Sequence, residues 1–207
     1  MNIPFRVRLP RILPIIVVAT TAIFLTGCFG DDKPWRGKDI SSLMPELAFE
    51  LTDASSDTIT AKETDGKIRM LFFGFTSCPD VCPATLQKLS RAVNDMPEQW
   101  QDDTRIVFVS VDPQRDTPEK IKNYVDFFSD KAIGLTGDEK ALRELSKRYR
   151  TTFSYDDPDA KGNYNVSHSG AVYVFDREGN ARLLFKPGLS VEDIRTDLVA
   201  LAQEGRA

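Results

Sequence analysis

The feature that most constrains the fold of this 207-residue chain is an almost unbroken apolar run at residues 70–75 (MLFFGF). A run in which apolar and polar side chains do not alternate is typical of a central strand covered on both faces of a sheet. Residues 105–112 (RIVFVSVD) form a second such run. Between the two runs, Leu86, Leu89 and Val93 recur at helical spacing. Strand, helix and strand in this order predict an α/β domain.

The rest of the chain continues this alternation of strands and helices. Thr117 and Pro118 are the residue types of a helix N-cap and first turn, and Ser190 is the predicted cap of a final helix. Asp65-Gly66 signals a hairpin between residues 58–61 and 67–75. Further strands are predicted at residues 47–52, 132–136, 152–155, 171–176 and 181–186, and a further helix at residues 138–150. This order matches a thioredoxin-like domain: a mixed sheet flanked by helices, with an extra N-terminal β-hairpin.

The N-terminal residues have the pattern of an export signal. Three arginines and no acid precede an apolar run at residues 12–25, which is shorter than the roughly 20 residues that span a bilayer. The run ends in LTGC, which resembles the bacterial lipoprotein signature and implies cleavage before Cys28 and lipidation of its thiol. We therefore expect a signal peptide at 1–27, a tether at 28–45 and one domain at 46–207. An uncleaved N-terminal anchor is the alternative, and both interpretations predict an exported, membrane-attached domain.

Composition narrows the chemistry of that domain. With 27 Lys+Arg against 31 Asp+Glu the net charge is −4, which argues against nucleic acid as a partner, since phosphate binding needs clustered positive charge. Three cysteines are too few for a disulfide-stapled scaffold. His168 is the single histidine, so any imidazole chemistry uses His168.

The other two cysteines lie in the segment CPDVCP, directly after the apolar run. Cys78 and Cys82 each precede a proline, which disfavours helical geometry at both and predicts a loop. Pro83 suits the first position of the following helix, where the helix dipole would lower the pKa of Cys82. A structural disulfide would close a loop of only five residues, worth about 2 kcal/mol. A reactive or metal-binding pair is therefore favoured over a structural one.

Three segments together resemble the SCO/SenC family of copper-binding proteins that serve cytochrome c oxidase assembly. They are residues 73–83 (FGFTSCPDVCP), 109–118 (VSVDPQRDTP) and 168–170 (HSG). The resemblance extends over residues 43–204 and implies a thioredoxin-like fold in which Cys78, Cys82 and His168 hold copper. Many relatives carry an acid before the histidine where this chain has Ser167, which leaves the orientation of the imidazole open.

The three side chains do not by themselves decide which metal ion binds. Two thiolates and one imidazole suit Cu(I), and Cu(II) when further oxygen or nitrogen ligands join. Zinc accepts the same donors, but no general base with a recognisable motif accompanies them. Asp80, between the cysteines, either tunes thiol protonation, contacts a partner or is an ordinary exposed turn residue. Asp112, Arg115 and Asp116 are explained by capping and loop bracing.

These observations predict a membrane-tethered copper metallochaperone in the periplasm or another extracytoplasmic space. Its expected acceptor is the dinuclear copper site of the copper-bearing cytochrome c oxidase subunit, and other periplasmic copper chaperones or thiol reductants are expected partners. Two alternatives remain. A thiol–disulfide oxidoreductase would use Cys78 and Cys82 as a redox pair to reduce the acceptor's cysteines. A redox or copper sensor would signal through a partner. The sequence does not decide whether the protein is an enzyme.

Overall fold

The computed structural model describes residues 35–204, and these residues form an α/β fold. The strands are β1 (Lys38–Asp39), β2 (Glu50–Thr52), β3 (Thr58–Thr60), β4 (Ile68–Gly74), β5 (Thr104–Ser110), β6 (Ala132–Leu135), β7 (Phe153–Tyr155), β8 (Val166–His168), β9 (Val172–Phe175) and β10 (Ala181–Phe185). The helices are α1 (Val81–Asn94), α2 (Glu98–Gln101), α3 (Pro118–Phe128), α4 (Glu139–Arg148) and α5 (Val191–Glu204), with a short 3₁₀ helix at Ala61–Thr64.

Six strands form the central sheet, in the order β1-β10-β9-β4-β5-β6. β4, β5 and β6 are parallel, because α1 and α3 carry the chain back between them, whereas β9, β10 and β1 each pair antiparallel to their neighbours. β4 lies at the centre, and all seven of its residues are buried, as its apolar sequence predicts. This mixed sheet confirms the predicted thioredoxin-like fold class.

Successive side chains of β4 point to opposite faces of the sheet, and each face has its own helices. Phe72 packs against Phe108 of β5 on the face that α1 covers. Phe73 packs against Tyr173 of β9, which in turn contacts Tyr149 at the end of α4. The predicted N-caps of α3 and α5 are both present: the Lys120 N–H donates to the Thr117 hydroxyl, and the Asp193 N–H donates to the Ser190 hydroxyl.

The structure corrects two predicted boundaries. The N-terminal hairpin consists of β2 and β3, whereas Asp65-Gly66 follows the 3₁₀ helix and does not join two paired strands. The tether predicted for residues 28–45 extends too far, because β1 pairs with β10 and Ile40 is only 2% exposed. The N–H groups of Arg36 and Gly37 donate to the buried carboxylate of Asp197 on α5, so this segment is held as part of the domain.

The predicted signal peptide, and Cys28 with it, lie outside the described residues. Within residues 35–204 no helix has the length and apolar character needed to cross a bilayer.

Candidate metal centre

The two cysteines lie where β4 passes into α1. Cys78 is in the connecting loop and half-buried, whereas Cys82 is the second residue of α1 and buried. Pro83 is thus the third helical residue and not the first, so the helix begins earlier than predicted. The Cys82 N–H, one of the free donors of the first helical turn, donates to Cys78 Sγ at 3.4 Å. Both thiols are free, and this hydrogen bond holds the Cys78 sulfur at the first turn of α1.

His168 lies far from the two cysteines in the sequence but close to them in the fold. It ends β8, which pairs with β7 in a two-stranded ribbon separate from the main sheet. His168 Nε2 lies 3.4 Å from Cys82 Sγ and 3.8 Å from Cys78 Sγ. The three predicted ligand atoms all lie within 4.8 Å of one another. Fold topology therefore brings together residues that are 86 and 90 positions apart in the chain.

The protonation of the imidazole suits metal binding. His168 Nδ1 lies 3.1 Å from the carbonyl oxygen of Ser169. A carbonyl oxygen only accepts, so Nδ1 carries the proton and the neutral ring keeps its lone pair on Nε2, the atom that faces the sulfurs. Burial against the rings of Phe72 and Phe75 lowers the pKa of His168, which favours this neutral form.

The imidazole of His168 is oriented although position 167, where many relatives carry an acid, is a serine in this chain. Side chains alternate along a strand, so Ser167, which is exposed, points away from the face that carries His168. The imidazole is oriented by the backbone of the next residue instead. A carboxylate at position 167 is therefore not required to select the tautomer that binds metal.

The expected lowering of the Cys82 pKa is wrong. Burial raises the pKa of this thiol well above its usual range, and the nearby Cys78 raises it further. The helix terminus does not compensate, because desolvation of a thiolate in an apolar site outweighs the dipole of one helical turn. In the metal-free protein Cys82 is therefore a neutral thiol that must release its proton when a metal binds.

Gly74 provides the space that Cys82 occupies. A Cβ atom at position 74 would lie 2.7 Å from Cys82 Sγ and 2.7 Å from the ring of Phe108. Sequence analysis assigned no role to this residue. The signal was present: a glycine inside a strand of large apolar residues indicates the close approach of another group.

Asp116 fixes the start of the cysteine loop. Its buried carboxylate accepts hydrogen bonds from the Thr76 N–H (2.8 Å) and hydroxyl (2.5 Å), from the Ser110 hydroxyl (2.6 Å) and from Lys120 Nζ (3.0 Å). These bonds join the loop after β4 to the end of β5 and the start of α3. Asp116 thus acts as a brace, as predicted.

Asp112 and Arg115 brace the segment that carries His168. The Asp112 carboxylate accepts from Tyr164 Oη at 2.7 Å and from Arg115 Nε at 2.5 Å. Arg115 also donates to the Tyr164 carbonyl oxygen and lies 3.7 Å from the centre of the Tyr164 ring. The hydroxyl of Tyr155 on β7 donates to the carbonyl oxygen of Val111. The two-stranded ribbon is therefore held against the end of β5.

Asp80 immediately precedes α1 and is exposed. Its side chain makes no capping hydrogen bond to the helix. It is not one of the ligand atoms that converge, which agrees with the simplest of the three interpretations, an exposed turn residue.

The geometry fits a soft metal ion. With metal–ligand bonds of about 2.0–2.3 Å, two ligands of one ion lie at most roughly 4.5 Å apart, so atoms already within 4.8 Å need only small inward shifts. Two thiolates with one imidazole are the donors that Cu(I) prefers. Cys78 and His168 are half-buried whereas Cys82 is buried, so a metal would enter and leave on the side of Cys78 and His168.

A model of the family described as SCO1/SenC matches residues 42–203, a range that contains all three of these ligands. The chain belongs to the SCO1/SenC family. Among its SCO relatives is the SCO2-like protein of Rickettsia typhi, 32% identical over 192 residues, which are 88% of this chain and 92% of that protein.

Solved structures agree with this assignment. ScoI of Bradyrhizobium japonicum, solved with copper bound, is 34% identical and superposes with a TM-score of 0.68 over 75% of this chain and 98% of that one. The apo Sco1 protein of Thermus thermophilus is also 34% identical and superposes with a TM-score of 0.71 over 81% of this chain and 96% of that one. The SCO1/SenC fold is therefore shared along most of the chain.

Proposed function

We propose that this protein is a copper carrier that holds the ion through Cys78, Cys82 and His168. The observation that carries the proposal is the convergence of two free thiols and the Nε2 atom of the imidazole on one point. The copper-bound state of the Bradyrhizobium relative supports copper as the cargo. Binding displaces the thiol protons, so the affinity for copper rises with pH.

Competition titration with Cu(I) under anaerobic conditions tests the three-ligand site. His168→Ala and Cys78→Ala should each weaken binding by at least tenfold, because each removes one of three ligands. Ser167→Ala is the matched control, since its side chain is exposed and points away from the site; its affinity should equal that of the wild type. Unchanged affinity in both ligand variants would refute the proposal.

The proposed acceptor is the dinuclear copper site of the copper-bearing subunit of cytochrome c oxidase, as the family resemblance implies. Transfer would proceed by ligand exchange at the half-buried ligands, Cys78 and His168. Other copper chaperones would supply the ion, and thiol reductants would keep the pair reduced. The test mixes the copper-loaded protein with the metal-free oxidase subunit and follows the absorption of the dinuclear site. A Cys78→Ala protein should not support its appearance.

We also propose that the domain is exported and tethered by a lipid on Cys28, which places it in the periplasm or another extracytoplasmic space. The support is the sequence pattern of residues 1–28. Cys28→Ser should move the protein from the membrane fraction to the soluble fraction, and the mature wild-type protein should carry the mass of a lipid on its first residue. An unprocessed N-terminus in the membrane fraction would favour the uncleaved anchor.

One observation favours a second function, the reduction of the acceptor's disulfide. Cys78 is half-buried whereas its neighbour Cys82 is buried, an arrangement that suits attack by the outer thiolate followed by resolution by the inner thiol. The Cys78–Cys82 disulfide would form as the acceptor disulfide takes up two electrons and two protons. His168→Ala should retain this activity, whereas it should lose copper binding. Failure of the reduced, metal-free protein to reduce the acceptor would exclude it.

A further inference from the structure

The loop between β10 and α5 is fastened to α1 by Lys88. Residues 186–189 of this loop form a tight turn, in which the Leu189 N–H donates to the carbonyl oxygen of Lys186. Lys88 Nζ donates to the carbonyl oxygens of Pro187 (2.9 Å) and Leu189 (2.8 Å). Hydrogen bonds from an ammonium group are stronger than those between neutral groups, so Lys88 holds the turn, here called the Pro187 turn, against the helix.

The Pro187 turn lies against the chain that follows His168. A Cβ atom at Gly170 would lie 3.0 Å from Cγ of Pro187 and 3.1 Å from Cγ1 of Val81, closer than side-chain atoms usually approach. Gly170 is thus enclosed by the turn on one side and by α1 on the other. Val81 is the first residue of α1 and lies seven positions before Lys88, so both side chains are on the same face of the helix.

This enclosure sets the position of one ligand relative to another. α1 carries Cys82, whereas the enclosed segment carries His168 and the Ser169 carbonyl oxygen that lies 3.1 Å from Nδ1 of the imidazole. The distance between α1 and the Pro187 turn therefore determines how much room the segment has to move. The two-stranded ribbon is braced against β5 before His168, and the contact of Gly170 with the turn acts after it.

We propose that Lys88 is a positioning residue for the metal site: it clamps the Pro187 turn onto α1 and so fixes the chain after His168 at the distance from Cys82 that one ion requires. This inference rests on the proposed copper-binding function. Without the clamp, the segment would spend part of its time with the imidazole away from the sulfurs. The apparent affinity for the ion falls in proportion to the fraction of molecules that remain competent to bind it.

Lys88→Met in the full-length, detergent-solubilised protein removes the ammonium group and keeps most of the side chain. We expect the affinity for Cu(I) in anaerobic competition titration to fall by about tenfold. In the metal-free protein, amide hydrogen exchange should become faster in peptides that contain residues 168–171. Lys88→Arg should restore both properties, because a guanidinium also donates to two carbonyl oxygens. Arg91→Met is the matched control on the same helix, since Arg91 is exposed and pairs with Asp95; both properties should stay at their wild-type values.

A double-mutant cycle tests the route through the Pro187 turn. Gly170→Ala should weaken Cu(I) binding in the wild-type background, and weaken it less in Lys88→Met, where the turn is free to move away from the added methyl group. Additive effects would overturn this route. If Lys88→Met lowers the urea midpoint but leaves Cu(I) affinity and the exchange of these peptides unchanged, Lys88 only stabilises the fold: the inference fails and the copper site stands. If wild-type protein binds no Cu(I), the proposed function fails and this inference fails with it.

Discussion

Replacing Gly74 by alanine tests whether the position of the Cys82 sulfur is set by the sheet beneath it. The added Cβ would lie 2.7 Å from Cys82 Sγ and 2.7 Å from Phe108, closer than side-chain atoms normally approach. Both neighbours are fully buried and neither is the end of a long flexible chain. The methyl group can therefore be accommodated only if the helix start or the aromatic ring moves.

The expected magnitude follows from that overlap. Forcing one extra methyl group into a packed core costs about 1–3 kcal/mol, which lowers the melting temperature by roughly 3–9 °C in a domain of this size. Cys82 Sγ lies 3.4 Å from His168 Nε2, so a sulfur displaced by half an ångström or more leaves the arrangement that suits one ion. We expect the affinity for copper to fall by about tenfold or more.

The assay compares thermal unfolding of the metal-free protein with Cu(I) competition titration. Gly188→Ala is the neutral control, because nothing lies within 4 Å of its Cβ position. Gly134→Ala is the control for overpacking, because its Cβ would collide with Ile121 in the core below α3. It should destabilise the protein and leave the affinity for copper unchanged. If Gly74→Ala binds copper as tightly as wild type, the sulfur is not positioned by Gly74.

Three further predictions concern the metal-free protein. Iodoacetamide should modify Cys78 much faster than Cys82, because Cys82 is buried and burial raises its pKa; peptide mass mapping at short times measures this, and equal rates would contradict the burial. Asp116→Asn should lower the free energy of unfolding in urea by roughly 2–3 kcal/mol, since a buried acceptor of several donors is replaced by a group with a single acceptor oxygen, and a change below about 0.5 kcal/mol would refute the bracing role. The pKa of His168 is lowered in the folded state, so its unfolded form binds a proton first as the pH falls below about 6.5. His168→Gln should therefore lose less stability than wild type between pH 8 and pH 5, and parallel pH profiles would show that His168 is not buried in solution.

Local sequence patterns were sufficient to predict the strands and helices at the centre of the domain. The run at residues 70–75 predicted β4 because burial on both faces requires apolar residues at every position. Thr117 and Pro118 predicted the start of α3, since a helix N-terminus is satisfied by its own neighbours in sequence. These features depend on interactions within a few residues, which the sequence displays directly.

Two strand pairings that depend on distant parts of the chain were predicted wrongly. Asp65-Gly66 does form a turn, with Gly66 at φ +78°, but the strand after it pairs with β5 and β9 instead of β3. Lys38–Asp39 was assigned to the tether because its partner, β10, lies far along the sequence. A turn residue indicates that the chain changes direction, but it does not indicate which strand will pair with the strand that follows the turn.

At the candidate site, too, local sequence features were predicted correctly whereas features that depend on tertiary packing were not. Residue types and the CxxxC spacing predicted a reactive or metal-binding cysteine pair, and the family resemblance implied that His168 joins it as a ligand. The Cys82 pKa was predicted in the wrong direction, because a helix terminus is visible in the sequence whereas the burial under Phe108 and beside Gly74 is not. His168 is oriented by the backbone carbonyl group of Ser169, and the sequence cannot reveal this contact because every residue has a backbone carbonyl.

The long separation between the cysteines and His168 has a thermodynamic consequence. Two neighbouring thiols can bind an ion even in an unfolded chain, but the nitrogen joins them only when the domain is folded. The part of the binding free energy that the imidazole adds is therefore also folding free energy. The copper-bound protein should therefore resist proteolysis longer than the metal-free protein. After it has transferred its copper ion, the protein should be degraded sooner.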